Sequence, residues 1–255
     1  PLIEPSKRKC MREPLNSLVF RNVNQERCDW NAQKQSLGVD SEPLYFDPIP
    51  FLIPARESDK VPLYPHNHCP AITWCDNGDM LAVWFSTNGE HDRDMIILGS
   101  RLRKGQDRWD PASLFFRIPG RNTTGSALFT KPDGTIIHLN GVEVASSWKT
   151  LAMIIRESKN HGATWSEPRF VDANHRWRNQ VIAGTFETSK GELIQLCDAV
   201  PHGLGGTAFW KSDDGGITWK DLGREESGKL RKNPWFFKGW KGPWIAGIHA
   251  GAVEL

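Results

Sequence analysis

Tyrosine is almost missing from this chain, with two residues against twelve tryptophans in 255. A set of aromatics so weighted towards indole points to a β-rich fold with tryptophan at regular places. It also suits sugar binding, because an indole stacks on the apolar face of a sugar ring while its N–H seeks a polar partner. Net charge is nearly missing too: the formal value is +2, which gives no electrostatic case for a nucleic-acid partner. No apolar run is long enough to span a membrane. The five cysteines include no Cys-x-x-Cys pair and no zinc-site spacing, so they allow one or two bridges plus a thiol and leave the compartment open. No phosphate loop and no metal-ligand spacing occurs, so neither a cofactor nor a metal is expected. Helical periodicity is scarce. No signal peptide is visible, and the first residue is Pro1 rather than Met. What is present, 38% hydrophobic and 24% charged residues, is ordinary for a folded globular domain.

The chain repeats itself. Trp109, Trp165 and Trp219 close similar segments, 56 and 54 residues apart. Gly78, Gly134 and Gly191 run in step with them, 56 and 57 apart. Two of these glycines follow Asn77 and Asp133, and such pairs between apolar runs signal hairpins. Apolar runs precede the turns at 71–74, 126–129 and 181–186, and follow them at 80–84, 135–139 and 192–196. Each repeat reads as strand, tight turn, strand, variable loop, strand, second turn, strand. Four strands in so short a unit make a propeller blade. The expected fold is all-β, with about three blades and the start of a fourth at 244–255. Residues 220–241 read as an insertion, 1–56 as a flanking segment and 57–255 as a partial propeller domain. Three blades and a beginning cannot close a ring, and an open ring exposes sheet edges. A longer natural protein is therefore expected.

The second turn of each repeat carries a motif. Ser212, Asp214, Gly216, Thr218 and Trp219 fit Ser-x-Asp-x-Gly-x-Thr-Trp in full, and Ser158, Asn160, Gly162, Thr164 and Trp165 fit it with Asn for Asp. A longer, degenerate version lies at 100–109. The Asp or Asn side chain is suited to bond N–H groups in the turn, and Gly permits a positive φ. The motif stabilises a blade corner and does no chemistry.

On these residues, over about 60–255, the chain resembles the bacterial neuraminidase repeat, or Asp-box, family of sialidase-like β-propellers. The resemblance implies a six-bladed propeller in full-length members, with the substrate pocket at the mouth of the central channel. It also implies exo-acting glycoside hydrolysis of a glycan and an extracellular or periplasmic setting. In that family an Arg-Ile-Pro motif opens the first blade, and its Arg grips the substrate carboxylate. Here His68 stands at that place, ahead of Cys69, Pro70, Ala71 and Ile72. A literal Arg117, Ile118 and Pro119 occurs just before the second blade, and its position makes it a chance match. The loop at 86–94 is placed for the family's acid/base carboxylate, with Glu90, Asp92 and Asp94 as candidates. Neither Tyr45 nor Tyr64 lies where the nucleophile is expected, and that region of the family falls beyond residue 255.

The blade ends that face the channel gather polar residues. Candidate substrate-binding groups are His66, Asn67, Arg121, Arg178 and His249, with His68 counted among the catalytic candidates. Arg pairs a carboxylate through two parallel hydrogen bonds, and His exchanges a proton near neutral pH. Each of them alone also reads as a solvated loop residue or a strand-end cap. Asp198 and His202 could line the same rim. Asn122, Thr123 and Thr124 match a glycosylation acceptor pattern. Three functions stay open: a sialidase-like exo-glycosidase, a lyase or other glycosidase with a His-based site, and a non-catalytic glycan-binding propeller.

Overall fold

The first hairpin of each sheet closes on a tight turn, where Gly78, Gly134 and Gly191 hold φ of 87°, 83° and 77°. The computed structural model describes residues 52–54, 60–89, 92–143, 151–172, 180–198, 207–222 and 249–255. These residues form strands and turns and no helix. The first antiparallel sheet contains β1 (His66–Trp74), β2 (Met80–Thr87), β3 (Ile96–Leu102) and β4 (Ser113–Phe116) in sequence order. The second contains β5 (Thr123–Thr130), β6 (Ile136–Glu143), β7 (Leu151–Ser158) and β8 (Arg169–Phe170), and the third β9 (Gln180–Glu187), β10 (Leu193–Asp198), β11 (Thr207–Ser212) and β12 (Lys220–Asp221). The architecture is all-β, and each sheet resembles a propeller blade.

The sheets stack face to face through apolar side chains. Leu81, Val83, Phe85 and Ile97 of the first meet Leu128, Ile136 and Ile154 of the second. Ile137, Leu139 and Ile155 of the second meet Val181, Leu193 and Trp210 of the third. Both faces of β2 and β6 are covered, which is why these strands read as continuous apolar runs rather than alternating ones. The outer face of the first sheet, with Trp84, Ile96 and Leu98, is covered by Leu52, Val61, Leu63 and Tyr64. Ile53, from the stretch expected to flank the domain, accepts the Ala112 N–H at 2.7 Å.

The motif turns are built alike. Ser158 Oγ accepts the Gly162 N–H, Asn160 Oδ1 accepts the Thr164 N–H, and Trp165 Nε1 donates to the Gly162 carbonyl, at 2.9, 2.9 and 3.1 Å. Ser212, Asp214 and Trp219 make the same three bonds at 2.9, 2.8 and 3.0 Å. The hydroxyl and N–H of Thr218 hold the Asp214 carboxyl down at about 2. The turn at 100–109 is made differently: Ser100 Oγ donates to the Asp110 carbonyl at 2.6 Å, and Trp109 bridges Leu102.

Each motif turn also seats against the sheet before it. A Cβ on Gly162 would lie 3.1 Å from Leu81 and 3.2 Å from Arg101, and one on Gly216 would lie 3.3 Å from Ile137. Arg101 is fully buried; it pairs with Asp79 at 3.1 Å and donates to the His161 carbonyl at 2.7 Å. Arg169 does the same one sheet on, donating to the carbonyls of Gly216 and Ile217.

Residues 244–255 were expected to open a fourth blade with its first strand, and of these 249–255 are described. They run in that direction: the His249 N–H is held by Asp198 at one end of the third sheet, and Glu254 accepts from Ser189 at the other. They pair with no strand among the described residues, and an inner strand becomes one only through the ladder to its neighbour. Residues 1–51 and 220–241 lie outside the described residues, apart from β12 and Leu222.

Candidate active site

Strand direction sorts the chemistry. β1, β5 and β9 run one way, and β2, β6 and β10 return. One end of the sheets holds the turns, and the other holds the starts of the inner strands and the ends of their partners.

All three inner strands bulge near that second end. Register slips between His68 and Ala71 in β1, between Thr123 and Ser126 in β5, and opposite Gln195 and Cys197 in β9. A bulge re-aims the side chains beside it. In β1 the bulge contains Cys69 at φ 51°. Just before it, alternation puts His66 and His68 on one face. Their rings meet edge to face at 5.6 Å, and both lie on Phe85, at 5.9 and 5.6 Å. His66 Nε2 is buried and makes no hydrogen bond to a described residue. Asn67 faces the other way, donating to the Tyr64 carbonyl and accepting from Trp84 Nε1, each at 3.0 Å.

The two described carboxylates of the 86–94 loop separate in role. Asp94 is tied to Thr87 Oγ1 at 3.0 Å and to Asn88 Nδ2. Asp92 is exposed, and among the described residues its main chain is what is held: its N–H donates to the Gly89 carbonyl at 2.9 Å, and its carbonyl accepts from Asn122 Nδ2 at 2.8 Å. Glu90, Arg178 and His202 lie outside the described residues. Asn122 is 5% exposed and its Oδ1 takes the Met95 N–H at 3.3 Å, so the glycosylation pattern sits on an amide already engaged inside the fold.

Glu143 escaped the sequence reading. It ends β6 with its N–H on the Asn122 carbonyl at 2.9 Å, and it is 2% exposed. Arg93 NH2 lies 3.7 Å from its Oε2, which makes no hydrogen bond to a described residue. Burial pushes its carboxyl up, against the charges of Arg93 and the exposed Arg121. The available signal was positional: Asp198, already singled out, ends the matching strand of the third sheet. Asp198 is buried as well, and desolvation raises its carboxyl against the His249 N–H at 2.7 Å. His249 Nε2 lies 3.4 Å from Asp198 Oδ2, and the ring is half exposed.

A buried polar column supports the β5 bulge. Asn140 Nδ2 donates to the carbonyls of Thr124 and Gly125 at 2.8 and 3.0 Å. Beside it Ser126 Oγ bonds His138 Nε2 at 3.0 Å, and Arg156 Nε donates to His138 Nδ1 at 2.9 Å. Arginine only donates, so Nδ1 accepts and the ring proton sits on Nε2. Burial and the neighbouring guanidinium hold His138 well below the usual imidazole range. Burial brings Arg156 down to about 9. Phe115, Phe116 and Trp165 enclose the guanidinium, with centroids 4.5, 4.3 and 4.8 Å away.

At one end the arrangement brings together the exposed Asp92, the buried Glu143 beside Arg93, the His66–His68 pair and the Asp198–His249 pair, whereas the His138 column lies nearer the turns. Among the described residues no group of three or more His, Cys, Asp and Glu is placed to hold a metal, and no helix is long and apolar enough to cross a membrane.

Residues 78–237 match the family described as BNR repeat-like domain. A xyloglucanase from Paenibacillus sp. is 27% identical over 168 residues, covering 59% of this chain and 15% of the relative. The NanB sialidase of Streptococcus pneumoniae superposes with a TM-score of 0.51 at 11% identity, over 68% of this chain and 46% of that one. A leech intramolecular trans-sialidase superposes with a TM-score of 0.52 at 9% identity, over 70% and 46%. The chain thus spans under half of either sialidase and a small part of the xyloglucanase. At these identities the two sialidases speak for the fold alone.

Proposed function

Because the chain belongs to the family of BNR repeat-like domains, we propose that it forms part of an exo-acting, sialidase-like glycoside hydrolase whose substrate is a glycan. Asp92 protonates the glycosidic oxygen, with Glu90 in the same loop as the alternative acid. Asp94 and Asn67 hold the loop and the start of β1 in shape. His66, His68, Arg121, Arg178 and His249 bind the sugar, and the buried Glu143 keeps Arg93 and Arg121 turned towards it. The supporting observation is Asn122, which joins the Asp92 loop to the Glu143 strand end through its side chain and its carbonyl. The attacking group is not Tyr64, which is buried, with its N–H on Ser86 Oγ at 3.1 Å. With His68 at the place of the clamp arginine, a sugar other than sialic acid is favoured.

A panel of fluorogenic glycosides that includes a sialoside, tested on the whole protein, decides this. The expected outcome is release from at least one substrate, with kcat lowered by about 10²–10⁴ in Asp92→Asn. No release from any of them ends the hydrolase reading, and binding without turnover supports a glycan-binding domain.

A second reading rests on the buried His66 Nε2, which makes no hydrogen bond to a described residue. A His66 or His68 base that removes a proton next to a uronic-acid carboxylate would make the protein a polysaccharide lyase. An unsaturated, ultraviolet-absorbing product, lost in His66→Ala, identifies that case.

A further inference from the structure

Arg93 stands between two aspartates in the sequence and pairs with neither. Among the described residues its ion pair is with Glu143, at the end of β6, with 3.7 Å between its NH2 and Glu143 Oε2. Asp94 is satisfied by neutral donors, Thr87 Oγ1 and Asn88 Nδ2. The Asp92 carboxyl lies over Gly89, where an added Cβ would stand 3.4 Å from Oδ2. The cation of this loop thus turns across the seam between the first two sheets, which stack directly on one another. Its neighbour Asp92 makes no ion pair with a described residue.

The backbone is fixed on both sides of that seam. Asn122 holds the Asp92 carbonyl with its side chain and the Glu143 N–H with its own carbonyl, at 2.8 and 2.9 Å. The long, half-exposed side chain of Arg93 is the part free to choose a partner. Glu143 is buried, and its Oε2 makes no hydrogen bond to a described residue. An apolar side chain would fill the same space at less cost than a carboxylate, so the charge itself calls for a role. Burial pushes this carboxyl up, against Arg93 and Arg121, the two cations that face it.

A general acid has to keep its proton until the leaving oxygen needs it. A guanidinium within about 4–6 Å of a carboxyl favours the ionised form and lowers its pKa by about 1–3. Arg93 follows Asp92 directly and is long enough to reach it unless something else holds it.

We propose that Glu143 is a positioning residue for the acid: it draws the Arg93 guanidinium across the seam and so keeps it off the Asp92 carboxyl. This rests on the reading of Asp92 as the proton donor. The other charged and titratable groups at this end are Asp94, Arg121, and His66 and His68 on β1, while Glu90 and His91 of the same loop lie outside the described residues. Two readouts on the whole protein test the proposal. One is the pH dependence of kcat on a glycoside that it hydrolyses. The other is titration of the Asp92 carboxyl carbon by NMR, assigned with Asp92→Asn. Glu143→Gln keeps the shape and removes the charge, so Arg93 is expected to turn to Asp92. The Asp92 titration and the high-pH limb of kcat should then move to lower pH by about one unit or more. Arg93→Met added to Glu143→Gln should return both to where the native protein has them, and Arg121→Met added instead should leave the shift in place. No shift in Glu143→Gln, or a shift reversed by Arg121→Met and not by Arg93→Met, overturns the proposal. Arg93→Met alone decides the matter if Glu143→Gln does not fold. An unmoved Asp92 titration supports the proposal, and a rise means that Arg93 was already acting on Asp92 and overturns it. Because the NMR titration needs no turnover, an inactive protein ends the hydrolase reading and leaves this test intact.

Discussion

Asn122 reaches from the start of the second sheet to the first and donates its side-chain amide to the Asp92 carbonyl, 2.8 Å away. The same residue accepts the Glu143 N–H on its own carbonyl. Loop and strand end are thereby held as one unit.

Replacing Asn122 by Ala removes the donor to Asp92 and the acceptor for Met95 inside the fold. Unsatisfied buried groups cost about 1–3 kcal/mol each. The expected outcome is a lower urea midpoint of that order and a fall in kcat beyond any rise in KM, because Asp92 loses its aim. Unchanged kcat in a destabilised variant would confine Asn122 to a structural role.

The His138–Arg156 pair makes stability depend on pH. His138 has its folded pKa depressed, so the unfolded chain takes up a proton first. The stability it confers is complete above the unfolded value of about 6.5 and declines as pH falls below it. Glu143 and Asp198 act the other way, since their folded carboxyls hold protons more tightly than unfolded ones and acidification favours folding through them. Urea unfolding between neutral pH and pH 5 should show a decline in the native protein that is shallower in His138→Gln. Identical slopes would contradict the assignment.

Arg156→Ala leaves His138 Nδ1 and the Phe115 carbonyl without their donor and empties a space between three aromatic rings. A loss of about 2–5 kcal/mol in unfolding free energy is expected. Arg156→Met, which refills much of the space, should recover part of it.

Two glycines separate crowding from backbone strain. Gly105 and Gly162 have φ of 73° and 81°, but only Gly162 has neighbours, Leu81 and Arg101, where a Cβ would go. Gly105→Ala should cost about 1–2 kcal/mol, the left-handed penalty alone. Gly162→Ala should cost clearly more, and thermal unfolding of the two variants checks it.

The repeat was legible because turn chemistry is local. Gly78, Gly134 and Gly191, and the Ser, Asn or Asp, Gly and Trp of the two motif turns, act within a few residues of themselves. They fall in the structure where their spacing put them. Of the candidate site, the sequence carries the grouping of residues more than their directions. His66 and His68 share a face because a strand alternates, which sequence states directly. That Asn67 turns away to Trp84, that Asp94 is tied to Thr87, and that Glu143 is buried beside Arg93 depend on strand register and on side chains far apart in sequence. The bulges that set these directions have no consistent residue signature: Cys69 is in one, and Thr124 and Gly125 are in another. Glu90 and Arg178, beyond the described residues, keep their roles as proposals.

The way each motif turn nests on the sheet before it gives the molecule a direction. Gly162 needs Leu81 and Arg101 already in place, and Gly216 needs Ile137. Each sheet is the mould for the corner of the next, and the dependence runs from the amino end to the carboxyl end, the order in which a ribosome delivers them. A fault in the first sheet is therefore inherited by its successors. A fault in the third leaves the first two with their corners complete.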